Sequence, residues 1–153
     1  MTDEATRPAP TDEGALVCCP FRIGGTLLAC RADRVEAVTT WETPLQLPRV
    51  PAHILGLVTY DQRALALLDL GRFFGLTEDT DYTRVLVVTA GPYRVGIPVN
   101  AALGVVELAP GDRQEPSGVI TGPLAQYVAE EVQIGDQLGG LLDLERLLEA
   151  ARA

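Results

Sequence analysis

The strongest constraint on the fold of this 153-residue chain is that it nearly repeats itself. Gly24 to Val38 and Gly91 to Val106 share a turn, a strand and a Val-rich continuation at an offset near 67 residues. Ala66-Leu67-Leu68-Asp69-Leu70 and Gly140-Leu141-Leu142-Asp143-Leu144 match at an offset of 74. A repeat of about 70 residues, with roughly five short strands per copy, predicts two small β-barrels. Neither copy is long enough to bury sufficient apolar surface alone, so the two are expected to share a core.

The stretch from Leu47 to Leu76 organises the first copy. Pro48 and Pro51 hold its start extended and forbid a helix across them. Ile54 to Val58, the polar tip Thr59 to Arg63 and the apolar run Ala64 to Leu68 read as a hairpin, closed by Asp69 and a helical stub at Arg72 to Gly75. Ahead of it, alternation over Val17 to Ile23, a Gly24-Gly25 turn and the run Thr26 to Arg31 predict another hairpin, with Pro20 at an edge or a bulge. Arg34 to Trp41 is a further strand, Val35 and Ala37 on one face, Glu36 and Val38 on the other.

After an acidic linker, Thr77 to Asp81, the pattern restarts. Arg84 to Thr89 is apolar enough to be buried on both faces. Gly91-Pro92 turns it into Tyr93 to Val99, and Gly104 to Leu108 follows. A Gly/Pro/Asp/Ser-rich loop runs to about Pro123. Strands near Gln126–Ile134 and Gln137–Leu142 meet at Gly135-Asp136. A C-terminal helix is expected with Asp143 as N-cap and Leu144, Leu147 and Leu148 inward.

Charge and composition remove whole classes of function. Asp3, Glu4, Asp12 and Glu13 against Arg7 leave residues 1–14 at −3, a disordered acidic tail, and the body at about −6 of the total −9. Such a balance repels phosphate backbones and anionic lipid heads, so neither nucleic acid nor a membrane surface is an expected partner. No apolar run approaches the roughly 18 residues of a membrane span, and the start has neither the basic nor the apolar segment of a signal peptide. Cys18, Cys19 and Cys30 form no CxxC, so they read as small buried hydrophobes in a reducing cytoplasm.

Catalysis finds no constellation. All twelve basic residues are arginine, which removes Schiff-base lysines and phosphate-loop lysines together. His53 is the single imidazole and lies just after Pro48 and Pro51, in the position of a packed or surface side chain. Asp69 and Asp143 occupy equivalent places in the two copies and read as helix caps. No metal or cofactor site is expected, and the chain is not read as an enzyme. A proline-peptide groove needs an aromatic lining, and the eight aromatics are scattered; the Val- and Leu-rich groove suits the apolar face of a partner helix instead.

Phe21-Arg22-Ile23-Gly24, Val35-Glu36-Ala37-Val38, Leu47-Pro48…Pro51…Ile54-Leu55-Gly56-Leu57-Val58, Leu67-Leu68-Asp69-Leu70 and Leu142-Asp143-Leu144 together resemble the CheW-like domain. The resemblance spans about Leu16 to Leu148 in order and spacing, so residues 15–153 read as a single such domain with subdomains near 15–80 and 81–153. It implies an all-β fold of two SH3-like five-stranded barrels sharing a hydrophobic core, with short helices and a C-terminal helix. It also implies a non-catalytic adaptor that couples the hairpin tip of a chemoreceptor to the regulatory domain of a CheA-type histidine kinase.

Carried over by resemblance, the receptor-facing groove falls on Val35, Ala37, Val38, Gly56, Thr59, Leu86, Val88 and Val99. The tip Thr59-Tyr60-Asp61-Gln62 departs from the family's usual Asn-Leu-Arg-Gly. Asp61 reverses the charge of the arginine, and Gln62 replaces the glycine, so the turn is expected to be strained or rebuilt. The acidic residue often found at Ala37 is also missing. Complementary charge sets partner choice more than affinity, so these changes point to a retuned partner surface. An alternative is a divergent module that binds the kinase without conventional receptor coupling, for example in motility or pilus control.

Overall fold

Four two-residue turns generate most of the molecule. The computed structural model describes residues 15–76 and 81–151; the expected acidic tail at 1–14 and most of the acidic linker lie outside the described residues. The hairpins are β1 (Leu16–Ile23) with β2 (Thr26–Arg31), β4 (Ile54–Tyr60) with β5 (Arg63–Leu68), β6 (Arg84–Ala90) with β7 (Tyr93–Val99), and β11 (Val128–Ile134) with β12 (Gln137–Leu142). Single or shorter strands complete the set: β3 (Val35–Thr40), β8 (Ala101–Ala102), β9 (Val106–Leu108) and β10 (Arg113–Gln114). Gln126 and Tyr127, expected at the start of a strand, lie instead in a 3₁₀ turn over Pro123–Tyr127.

These strands form two sheets. One runs β3-β6-β7-β5-β4; the other runs β10-β11-β12-β2-β1-β8, with β9 also paired to β1. The division near residue 80 is not the division between sheets. Each sheet joins one hairpin from the first half to one from the second through a short parallel contact, Leu67 beside Gly96 in one and Gly140 beside Leu28 in the other. The two copies therefore exchange hairpins. The repeat is real, and its halves are interleaved rather than side by side.

Closure of each sheet into a barrel follows from its loops. After β3 the chain runs to Leu45, whose backbone exchanges hydrogen bonds of 2.8 and 2.9 Å with Leu57 on β4. In the second barrel β9 leads through a turn at Pro110–Asp112 into β10, which pairs with β11. Pro20 lies within β1, which has neighbours on both sides, yet it falls opposite the break between β9 and β8. A residue without an N–H is tolerated there because no strand asks for one.

The main core lies between the sheets. Phe21, Ile23 and Leu28 face Leu68, Leu86, Val88, Ile97 and Val99 across it, and two helices seal it. The first, α1 (Leu70–Phe74), contributes Leu70 and Phe74; the second, α2 (Leu144–Ala151), contributes Leu144, Leu147 and Leu148 as its 3.6-residue period requires. Leu16, Cys18, Ala29, Leu108, Val132 and Leu141 fill the second barrel. In the first, Leu65, Leu67 and Val85 crowd Gly96, where an added β-carbon would stand 2.7 Å from Leu67 and 2.8 Å from Val85.

Both predicted caps form. Asp69 accepts from the Arg72 N–H at 3.0 Å and Asp143 from the Arg146 N–H at 3.2 Å. All three cysteines are buried free thiols. Burial pushes the Cys18 thiol up to about 11 and raises Cys19 and Cys30 as well, so these groups stay protonated and pack as apolar side chains. His53 reaches 2.9 Å from the Ala151 carbonyl and lies against Phe73, a packed position at the end of α2.

Candidate protein-binding surface

The residues that suggested a groove separate into two layers. Leu86, Val88 and Val99 are at most 1% exposed and belong to the core between the sheets. They cannot touch a partner while the fold is intact, which corrects their assignment to the groove. The apolar run of β6 is buried on both faces, so no face is left for a partner. Val35 is partly covered and packs on that core, opposite Val88. Ala37 is half-buried, and Val38, paired with Leu86, is 47% exposed.

Gly56 is also buried, and its role is steric. Its φ is 141°, and a β-carbon there would stand 2.2 Å from the Leu45 carbonyl oxygen. The missing side chain lets the Leu45 segment lie directly on β4. Leu45 is thereby fixed by its backbone with its own side chain 71% exposed.

Besides Val38, the accessible candidates are at the β4–β5 tip. Thr59, Asp61 and Gln62 are exposed and Tyr60 is half-buried. Asp61 and Gln62 both take left-handed backbone, φ 52° and 65°. The turn expected to be strained or rebuilt is therefore strained and kept. Aspartate tolerates this region because its short side chain can bond locally, whereas glutamine has no such compensation. The other three hairpins place Gly24, Gly91 and Gly135 first in the turn, at φ 61°, 57° and 62°.

Beside the tip stands a charge pair that the pattern of residues did not single out. Arg94 on β7 donates to both carboxylate oxygens of Glu36 on β3, at 3.0 and 3.1 Å, and its guanidinium lies 5.1 Å from the centre of the Tyr60 ring. Mutual hydrogen bonding lowers the Glu36 carboxyl below its ordinary range and raises Arg94. The outward position of Glu36 was legible from strand alternation. Its partner was not, because β3 and β7 are separated by β6. Close by is a cavity of about 180 Å³ lined by Thr39, Val58, Tyr60, the buried Leu65 and Val85 and the exposed Glu42 and Asp61, among others.

The family model of the CheW-like domain matches residues 18–152. The chain belongs to the CheW-like family. Among solved structures it is similar to the scaffolding protein TtCheW from Thermoanaerobacter tengcongensis, with a TM-score of 0.75 and 20% identity over 88% of this chain and 92% of that one. No curated protein matches. The CheW-like fold of two SH3-like barrels is thus the fold of this chain, reached through the exchanged hairpins described above. No helix among the described residues is long and apolar enough to cross a membrane.

Proposed function

We propose that this CheW-like chain is a non-catalytic adaptor of a bacterial chemosensory system, working in the cytoplasm by simultaneous docking and not by turnover. Its partners would be the regulatory domain of a CheA-type histidine kinase and the cytoplasmic tip of a chemoreceptor. The observation that carries this reading is the family match over residues 18–152, and the likeness to a scaffolding protein supports it. Weak interfaces engaged together gain effective concentration, which is how an adaptor without a catalytic centre organises an assembly. Val38 and the tip Thr59-Tyr60-Asp61-Gln62 are the accessible residues through which this chain would choose its partners.

Titration of the purified chain against the kinase regulatory domain and, separately, a receptor hairpin fragment tests the reading. Binding to both is the expected outcome for a coupling adaptor. Binding to the kinase alone would favour a divergent module without receptor coupling, a reading that the aspartate at position 61 supports. Binding to neither would overturn both.

A further inference from the structure

We infer that Arg94 is the residue that holds the β4–β5 tip in position for docking; this rests on the adaptor reading and adds a positioning residue to its tip. The starting point is backbone strain. Asp61 and Gln62 hold φ of 52° and 65°, and left-handed backbone outside glycine persists only where its surroundings impose it. The other three hairpins meet the same need with glycine. A glycine tip is relaxed but free to wander, whereas side chains at both positions narrow the tip's own freedom and leave it less to lose on docking.

What imposes the arrangement comes from across the sheet. β3 and β4 are its two edges and β7 its middle strand. On β3, Val35 lies opposite Val88 and Ala37 opposite Val87, so Glu36 is the extra residue of a bulge, which re-aims its carboxylate. Arg94 on β7 donates to both oxygens, at 3.0 and 3.1 Å, and sets the same guanidinium 5.1 Å from the centre of the Tyr60 ring on β4. Asp61 adds its charge to the field around Arg94, and Arg63 adds its own to that around Glu36. One guanidinium thus ties the tip at one edge to the strand at the other. Arginine suits this better than lysine, because its planar fork matches a carboxylate while its face stays free for an aromatic ring. Only 19% of the Arg94 side chain is exposed, so it acts through the tip and is not itself the surface offered to a partner.

The test measures NMR relaxation of the backbone amides in the full chain. Order parameters at Thr59 to Arg63, expected near the value of about 0.85 of rigid backbone in the native chain, should fall below about 0.6 in Arg94→Ala. Glu36→Ala should produce the same loss, although Glu36 reaches the tip only through Arg94, and the double variant should be no looser than Arg94→Ala alone. Arg94→Lys should restore only part of the order, because an ammonium cannot grip both carboxylate oxygens and face the ring. Unchanged amide shifts in β11 and β12 verify that each variant is folded, and unfolding midpoints should barely move, since an exposed ion pair adds little to stability. In the titrations with the kinase and receptor fragments, Arg94→Ala and Glu36→Ala should each weaken binding of at least one fragment about tenfold, the scale of the ordering cost that the clamp removes. A tip that stays rigid in Arg94→Ala, native tip order in Glu36→Ala, or native affinity for both fragments in both variants would overturn the inference. The two readings fail separately. A native chain that binds neither fragment overturns the adaptor reading, and the order parameters then decide by themselves whether Arg94 holds the tip.

Discussion

The β4–β5 hairpin of the first barrel and the β11–β12 hairpin of the second are equivalent, yet they solve the same problems with opposite chemistry. Both slip register at the same place, between Ile54 and Gly56 in one and between Val128 and Glu130 in the other. Gly56 and Glu130 thus stand at matching positions. Where the first barrel uses an absent side chain to let the Leu45 backbone close in, the second extends Glu130 to Arg113 on its closing strand, 2.7 and 2.9 Å away. The next residues diverge likewise. Leu57 bonds Leu45 through backbone alone, whereas Glu131 is 1% exposed and gathers the Ser117 hydroxyl and the N–H groups of Ser117 and Val119. At the tips the order reverses: the second barrel has glycine at its turn, the first has strained Asp61-Gln62. The first barrel is closed by fit and left exposed at its tip. The second is closed by charge and relaxed there.

The largest expected effect breaks closure by fit. Gly56→Ala places a methyl inside the Leu45 carbonyl and demands a φ of 141° from an L-residue, so a loss of about 3 kcal/mol is expected in urea unfolding. Gly25→Ala, with no atom within 4 Å of the added carbon, is the control and should change stability by about 0.5 kcal/mol or less. Equal losses would mean that Leu45 is not held against β4.

The complementary test addresses closure by charge. Hydrogen bonds from Ser117, Val119 and Gln114 hold the Glu131 carboxyl down at about 2, against an ordinary 4.5. A depressed carboxylate stabilises the fold above its unfolded value, and that contribution drains away as pH falls from about 4.5 toward 2. Acid titration of the native chain should therefore show a loss of stability in that window. Glu131→Gln should be less stable at neutral pH and show a smaller loss, the remainder coming from Glu36 and Glu130, which are also held low by their arginines. A variant with the native acid profile would show that another group governs it.

The caps sharpen the comparison further. Asp69 is 3% exposed and also accepts from the Tyr82 hydroxyl at 2.7 Å, whereas Asp143 is partly exposed. Asp69→Ala is expected to cost about 2 kcal/mol and Asp143→Ala about 1, measured by the same unfolding. The reverse order would remove the asymmetry.

What could be read in advance divides along the same lines. Gly24-Gly25, Gly91-Pro92, Gly135-Asp136 and the Asp-Leu caps are local signals, and each turned out where its residues place it. The exchange of hairpins was not legible, because pairing Leu67 with Gly96 or Leu28 with Gly140 depends on contacts far apart in the chain. Of the candidate site residues, the exposure of the tip was legible and the burial of those beneath it was not. Val85 to Val88 form an unbroken apolar run, so alternation could not say which residues face a partner, and the resemblance assigned to a groove side chains that the sheets enclose. The Glu36–Arg94 pair and the cavity at Glu42 and Asp61 join separate strands and had no local signature.

The smallest effect bears most directly on why the tip differs. Gln62 holds φ 65° without the freedom of glycine or the local bonding of aspartate. Gln62→Gly should raise stability by about 1 kcal/mol in urea unfolding, because it removes that strain at an exposed position where the side chain has no packing to lose. In the second barrel Gly135→Ala should lower stability by about the same amount, since alanine must enter the left-handed region that glycine occupies there. Opposite signs would establish that each tip's stability follows the residue in its left-handed position, Gln62 second in a turn where both residues have positive φ and Gly135 first in a turn where it alone does. A Gln62→Gly variant no more stable than the native chain would instead mean that the side chain makes up for its strain through contacts at the tip, and the first barrel's exposed end would then be as relaxed as the second's.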